Sequence, residues 1–253
     1  MTGLTLRDVS VTLGDTPILE AVNLTVAPGE LVGLIGPNGS GKTTLMRAAL
    51  GLINARGECS LARLDDRTRA RTVAWMPQDH GVAWPISVEA LVMLGRLPYQ
   101  RVGQRPDDQD RARVAEAIHA VALTGFERRA VTRLSAGERT RALIARALAQ
   151  QTPVIMADEP IAGLDPAHQL TTMETFSAIA TSGRSVMLSI HDLGLAARYC
   201  SRLILLGERR IVADGPPAVV LTEENLARIF HIEARVQATD HGPVFQALRV
   251  LGP

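Results

Sequence analysis

From residue 4 the run LTLRDVSVTL alternates apolar and polar side chains, and after a Gly-Asp turn ILEAVNLTVAPGE continues as a second β segment. ELVGLIG is an apolar run of strand length that leads into a glycine-rich loop and then into the helical pattern KTTLMRAALGL. RTVAWMPQ predicts a further strand. From about Val82 to Gln151 the chain turns rich in Ala, Arg, Glu and Leu at helical spacing, as in SVEALVMLGR and DQDRARVAEAIHAVAL. Strands return as PVIMAD, SVMLSI and RLILLG, separated by the helical stretches AHQLTTMETFSAIATSG and HDLGLAARYCS. Strand–helix alternation on both sides of an all-helical block predicts a single domain over 1–253. Its parallel α/β core comprises 1–81 and 152–253, and 82–151 is a helical insertion. The chain carries no internal repeat and no low-complexity tract.

Composition narrows the setting. With 253 residues of which 46% are apolar, the chain can bury a core. A net charge of +1 without a long basic block argues against nucleic acid as the main partner. Cys59 and Cys200 lie far apart in sequence and show neither metal spacing nor a disulfide framework, which predicts a reducing compartment. The apolar runs are too short to span a bilayer, and MTGLTLRDVSV lacks the apolar centre of a signal peptide. A cytosolic chain is the expectation.

The chemistry begins at Gly36-Pro37-Asn38-Gly39-Ser40-Gly41-Lys42-Thr43, which fits the G-x-x-x-x-G-K-[ST] phosphate loop. Its glycines let backbone N–H groups converge on a β-phosphate, Lys42 reaches the β- and γ-oxygens, and the Thr43 hydroxyl takes a Mg²⁺ position. Val154-Ile155-Met156-Ala157-Asp158 is an apolar strand ending in a carboxylate suited to Mg²⁺, and Glu159 beside it is placed to serve a water. Gln78 ends VAWMPQ, where its carbonyl can bind Mg²⁺ or orient water; His191 ends SVMLSI, where a neutral imidazole can contact a γ-phosphate. His80, His119, His168, His231 and His241 show no ligand spacing and read as surface or structural residues. Far downstream of the loop, Leu134-Ser135-Ala136-Gly137-Glu138 reads as a second anion-friendly feature: a helix entry with a serine cap and an acid in its first turn.

The ordered set of the phosphate loop, Gln78, LSAGE, VIMADEP, AGLDP and His191 resembles ABC-type ATPase subunits over nearly the whole chain. The resemblance implies a phosphate-loop NTPase core, in which helices flank a mixed sheet with an N-terminal antiparallel β portion, plus an inserted helical subdomain. It implies ATP and Mg²⁺ as cofactors and a head-to-tail homodimer sandwiching two nucleotides. Gly36, Pro37, Asn38, Gly39, Ser40, Gly41, Lys42, Thr43 and Thr44 would hold ATP from one copy, and Ser135, Gly137 and Glu138 from the other. Thr43, Gln78 and Asp158 would hold Mg²⁺. Glu159 would act as general base, His191 would brace the γ-phosphate, and Asp165 would contact the partner's phosphate loop.

Within the family the likeness runs to ATPases of iron–siderophore, haem or cobalamin importers. It is carried by WPISVEALVMLGRLPY, LSAGERTRALIARALAQ and HDLGLAARYCSRLILLGERRIVADGPPAVVLTEENLARIF. That implies a separate ATPase chain docked peripherally on a membrane permease, at the cytoplasmic side of the plasma membrane, and served indirectly by a substrate-binding protein. An importer ATPase for manganese or zinc and a soluble, non-transport ABC ATPase are the alternatives. A phosphate-loop kinase has no use for LSAGE or Glu159. Three departures from the pattern stand out. Ala136 replaces the usual glycine and Glu138 the commoner glutamine. Leu13 stands near the place of an adenine-stacking aromatic, which removes a stacking contribution of about 1 kcal/mol.

Overall fold

A computed structural model of the chain describes residues 3–78, 85–101, 103–240 and 242–252. His80, His241, Trp84 and the expected insertion boundary at 81/82 lie outside the described residues. The chain begins with β1 (Leu4–Leu13) and β2 (Thr16–Val26), followed by β3 (Leu31–Ile35) and α1 (Lys42–Ala49). Next come β4 (Arg56–Cys59), α2 (Asp66–Thr72) and β5 (Val73–Met76). The helical block holds α3 (Val88–Met93), α4 (Asp108–Ala120) and α5 (Ala136–Ala149). β6 (Val154–Asp158), α6 (Pro166–Thr181), β7 (Ser185–Ser189), α7 (Leu193–Tyr199) and β8 (Arg202–Gly207) restore the alternation. β9 (Arg210–Gly215), α8 (Pro217–Val220), α9 (Glu223–Phe230) and the hairpin β10 (Ile232–Thr239) and β11 (Gly242–Val250) complete the chain.

The main sheet has the order β5-β6-β7-β3-β8-β9; its first five strands run parallel and β9 pairs antiparallel with β8. The sheet is therefore mixed, and the antiparallel sheet β2-β1-β4 supplies the N-terminal β portion. Alternate residues of the central strands feed two separate cores, because successive side chains in a strand face opposite ways. Val32, Leu34, Met156, Met187 and Ile204 join α1 and the antiparallel sheet. Ile35, Ile155, Ala157, Leu188 and Leu205 pack against Met173 and Phe176 of α6 and Leu143 and Ile144 of α5. That second cluster continues into Leu91 and Val92 of α3 and Ile118 of α4, so the helical block shares one core with a face of the sheet. Both cysteines are buried and free, and burial pushes the Cys200 thiol up to about 12. Among the described residues no helix is long and apolar enough to cross a membrane.

Several elements end sooner than the pattern predicts. β5 stops at Met76 because Pro77 has no N–H to give the ladder, which leaves Gln78 beyond the strand. β7 stops at Ser189, two residues before His191. SVEALVMLGR does not form one helix: α3 gives way at Leu94 to a 3₁₀ turn through Tyr99 that contains Pro98. In that turn Gly95 lies against the carbonyl of Arg146, where a Cβ would come within 2.3 Å of the oxygen.

Beside that glycine sits a buried ion pair. Arg96 and Asp110 are each 4% exposed. Arg96 Nε donates to Asp110 Oδ1 at 2.9 Å, and its Nη1 donates to the carbonyl of Ala149 at 2.8 Å and to Gln151 Oε1 at 3.0 Å. Gln100 Nε2 donates to the second carboxylate oxygen at 3.0 Å. Burial works to raise the Asp110 pKa, but these hydrogen bonds outweigh it and hold the carboxyl below its ordinary 3.8. A depressed pKa stabilises the fold above the ordinary value and loses that contribution as pH falls through the folded one. Asp110→Ala strands the guanidinium and is expected to cost about 3–5 kcal/mol. Thermal melts should show a drop of roughly 10 °C that narrows as the pH is taken below 3.8.

Candidate active site

Four adjacent parallel strands present their carboxyl ends along one edge of the sheet, the usual place for a ligand in such folds. The phosphate loop leaves the end of β3, Asp158 ends β6, and Gln78 and His191 each lie two residues past β5 and β7. Residues distant in sequence thus meet because their strands are neighbours. In the loop Gly36, Gly39 and Gly41 take φ of 151°, 79° and 98°, values open to glycine at little cost. Lys42 starts α1 and is buried; its Nζ donates to the carbonyls of Gly36 at 2.8 Å and Pro37 at 3.0 Å. Burial pulls its pKa down, against the opposing pull of Glu159 and Asp158. Lys42, Thr43, Thr44, Gln78 and Glu159 share the lining of a cavity of about 370 Å³.

The two acids are held differently. Asp158 Oδ1 accepts from the Ser189 hydroxyl at 2.5 Å, and Oδ2 is buried with no hydrogen-bond partner among the described residues. Glu159 sits at φ 50°, a conformation that costs a non-glycine residue on the order of 1 kcal/mol or more. Its Oε1 lies 2.6 Å from His191 Nε2, and its Oε2 accepts from Gln78 Nε2 at 2.9 Å. The Ser40 hydroxyl in the loop is likewise buried and unpartnered. Orphaned oxygens at a phosphate cradle fit a Mg²⁺–nucleotide, since Mg²⁺ takes a carboxylate or two, water and substrate phosphates in place of a closed protein cage. Among the described residues no group of three or more His, Cys, Asp or Glu is arranged for a metal.

Ser135, Gly137, Glu138 and Asp165 are elsewhere; none of them lines that cavity. Ser135 caps α5 in a reciprocal box: its hydroxyl accepts from the Glu138 N–H at 3.2 Å, and Glu138 Oε2 accepts from the Ser135 N–H at 2.8 Å. The Ser135 N–H foremost, with Arg129 nearby, holds the Glu138 carboxyl below its usual range. Glu138 therefore props the helix end from within its own chain. The Ala136 side chain is exposed and crowds nothing in its own chain. Asp165 caps α6, accepting from the His168 N–H at 3.0 Å, and its Oδ2 lies 2.6 Å from His168 Nδ1. The same imidazole lies against Gly137, where a Cβ would come within 2.2 Å of ring carbon Cδ2. His168, read from the sequence as a surface or structural residue, has a structural place here: it joins the two caps. The readable signal was its place three residues after a capping aspartate. Leu13, at the end of β1, is 48% exposed and offers apolar contact only.

A phosphate-cradling loop, a carboxylate with one open oxygen and a second acid beside it, all at the carboxyl edge of a parallel sheet, define a phosphate-loop NTPase. The sequence profile described as ABC transporter matches residues 19–162, more than half of the chain, and the chain belongs to that family. It is 41% identical over 241 residues to a cobalamin import ATP-binding protein of Halobacterium salinarum, a match covering 92% of this chain and 59% of that one. Against a hemin import ATP-binding protein of Pseudomonas aeruginosa it is 40% identical over 248 residues, covering 92% and 94%. A solved chain of an inward-facing ABC transporter of the metal-chelate type shares the fold, with a TM-score of 0.86 at 24% identity and 98% coverage of both chains. A dimeric bacterial ABC transporter cassette superposes with a TM-score of 0.72 at 26% identity, over 85% of this chain and 98% of the other. The chain spans less than two thirds of the halobacterial relative.

The Gly137–His168 contact makes a separable prediction. An alanine in a helix gains about 1 kcal/mol over glycine, whereas the added methyl displaces an imidazole at the end of a flexible side chain. Gly137→Ala should therefore leave the melting temperature within a few degrees of wild type. The His168 ring resonances should shift toward those of a solvated imidazole, as read by NMR.

Proposed function

We propose that this chain is the ATP-hydrolysing subunit of an ABC importer, working as a head-to-tail pair of copies on the cytoplasmic face of a membrane permease. The observation that carries the reading is the division of one chain's site residues into two groups. Lys42, Thr43, Thr44, Gln78 and Glu159 line the phosphate cavity, whereas Ser135 and Asp165 cap α5 and α6 away from it, so a second copy is needed to bring the two groups together. In that arrangement the γ-phosphate lies between the loop of one copy and the Ser135–Gly137 helix end of the other. It is the part of ATP that ADP lacks, so its loss removes the bridge. The import names of relatives near 40% identity favour cargo of the haem, cobalamin or iron–siderophore class. The substrate-binding protein enters only through the permease. Manganese or zinc import and a soluble ABC ATPase are the competing readings.

The chemistry follows from the side chains. Thr43, Gln78 and Asp158 would hold Mg²⁺, which when bound supplies positive charge to the phosphate oxygens. Lys42, released from the carbonyls of Gly36 and Pro37, pairs with the β- and γ-oxygens. Glu159 accepts the proton of the attacking water, and His191 and Gln78 hold its carboxylate in place. His191, exposed at its outer side, then braces the γ-phosphate, while Asp165 reaches the phosphate loop of the other copy.

Two variants test the composite site. Glu159→Gln keeps the binding groups and removes the base, so hydrolysis should fall at least about 100-fold while ATP and a stable dimer are retained on gel filtration. Ser135→Arg should abolish hydrolysis yet leave ATP binding by the isolated monomer intact; an equal loss of monomer binding would place Ser135 in its own chain's site. The import reading further requires the chain to sediment with membranes when its permease is present and to remain in the supernatant when the permease is deleted.

A further inference from the structure

Ser189 ends β7 after the apolar residues Val186, Met187 and Leu188, and its side chain is wholly buried, at 0% exposure. The parallel register sets it directly beside Asp158. Its one hydroxyl uses both of its capacities on the two acids: it donates to Asp158 Oδ1 at 2.5 Å and accepts the Glu159 N–H at 2.8 Å. Two consequences follow. Fixing Oδ1 stops the Asp158 carboxylate from turning and leaves Oδ2, buried and without a hydrogen-bond partner among the described residues, as the oxygen still free to take a ligand. Holding the Glu159 amide supports the left-handed backbone at φ 50° that aims its carboxylate at His191 Nε2 and Gln78 Nε2.

We propose that Ser189 is a positioning residue for the hydrolytic reaction: a single buried hydroxyl that fixes which oxygen of Asp158 faces the metal and where Glu159 points. The proposal rests on the ATPase reading above. An apolar side chain would fill the same place in the strand, and a hydroxyl buried without partners would carry a penalty. Here its hydrogen and one of its lone pairs are engaged, on the two groups whose aim matters most.

The test uses the full chain with Ser189→Ala, Ser189→Thr and Ser189→Cys. Binding of Mn²⁺ in the presence of a non-hydrolysable ATP analogue is followed by electron paramagnetic resonance. Removing a hydrogen bond that orients a metal ligand weakens metal affinity about tenfold or more. Ser189→Ala should show that loss and a similar fall in kcat, with metal-free analogue binding and KM for ATP within about twofold of wild type. Ser189→Thr, which keeps the hydroxyl, should restore Mn²⁺ affinity. A Ser189→Ala variant with wild-type Mn²⁺ affinity and kcat, or a threonine variant as impaired as the alanine one, overturns the proposal. If Ser189→Ala does not fold, Ser189→Cys, a weaker donor, should bind Mn²⁺ with intermediate affinity, and wild-type affinity there overturns it equally. Wild-type protein that neither binds the analogue nor hydrolyses ATP would instead sink the ATPase reading itself.

Discussion

The parallel pairing of β6 with β7 places Asp158 against Ser189, and the order of the sheet's carboxyl edge rests on that register. A slip of one residue would turn every side chain of the strand to the opposite face. Ser189 would then lose both acids, and His191 would lose Glu159. The register is in turn set by apolar alternation: Ile155 and Ala157 with Val186 and Leu188 fill one core, while Met156 and Met187 fill the other. Burial of those side chains, at roughly 1.5–3 kcal/mol each, makes a slip far costlier than the local strain at Glu159. Packing on both faces thus specifies the geometry of polar groups that contribute little to stability themselves.

A second layer of organisation comes from helix ends. α1 begins at the phosphate loop, α5 at Ser135 and α6 at Asp165. Each start exposes backbone N–H groups, and each is dressed differently. The start of α1 keeps its groups open through glycine. The other two are capped by side chains, and the His168 ring ties them together by bonding Asp165 and lying on Gly137. The two caps are therefore braced against each other from within one chain.

The helical block is tied down by different means. Its apolar residues extend the core beneath the sheet, and Arg96 with Asp110 anchors the turn after α3 to α4 and to the end of α5. That pair is buried and its polar atoms are bonded from several sides, unlike the exposed Arg–Glu pairs on the surface, which contribute about 1 kcal/mol or less. The block, α5 included, consequently shares its packing with one face of the sheet.

Much of this was legible in the sequence wherever the signal was local. The phosphate loop is set by eight consecutive residues, the α5 cap by Ser135 and Glu138 three apart, and the central strands by short apolar runs. Glycine torsions, capping bonds and alternation act within a few residues of chain, so they can be read in order along it. The short strand β4, the closing hairpin and the broken helix after Met93 were not legible, because their form depends on what they pack against. Nor did spacing reveal that Glu159 is held by Gln78 and His191, that Ser189 ties both acids, or that His168 joins two caps. The first two are pairings across neighbouring strands and their following loops, which bring partners distant in sequence within 3 Å, and the third sets a ring bonded to its own helix cap against the distant Gly137. By itself the sequence determined which chemical groups exist and which local shapes they take. Only the tertiary structure decided which groups meet, because strand register and helix packing depend on side chains all along the chain at once.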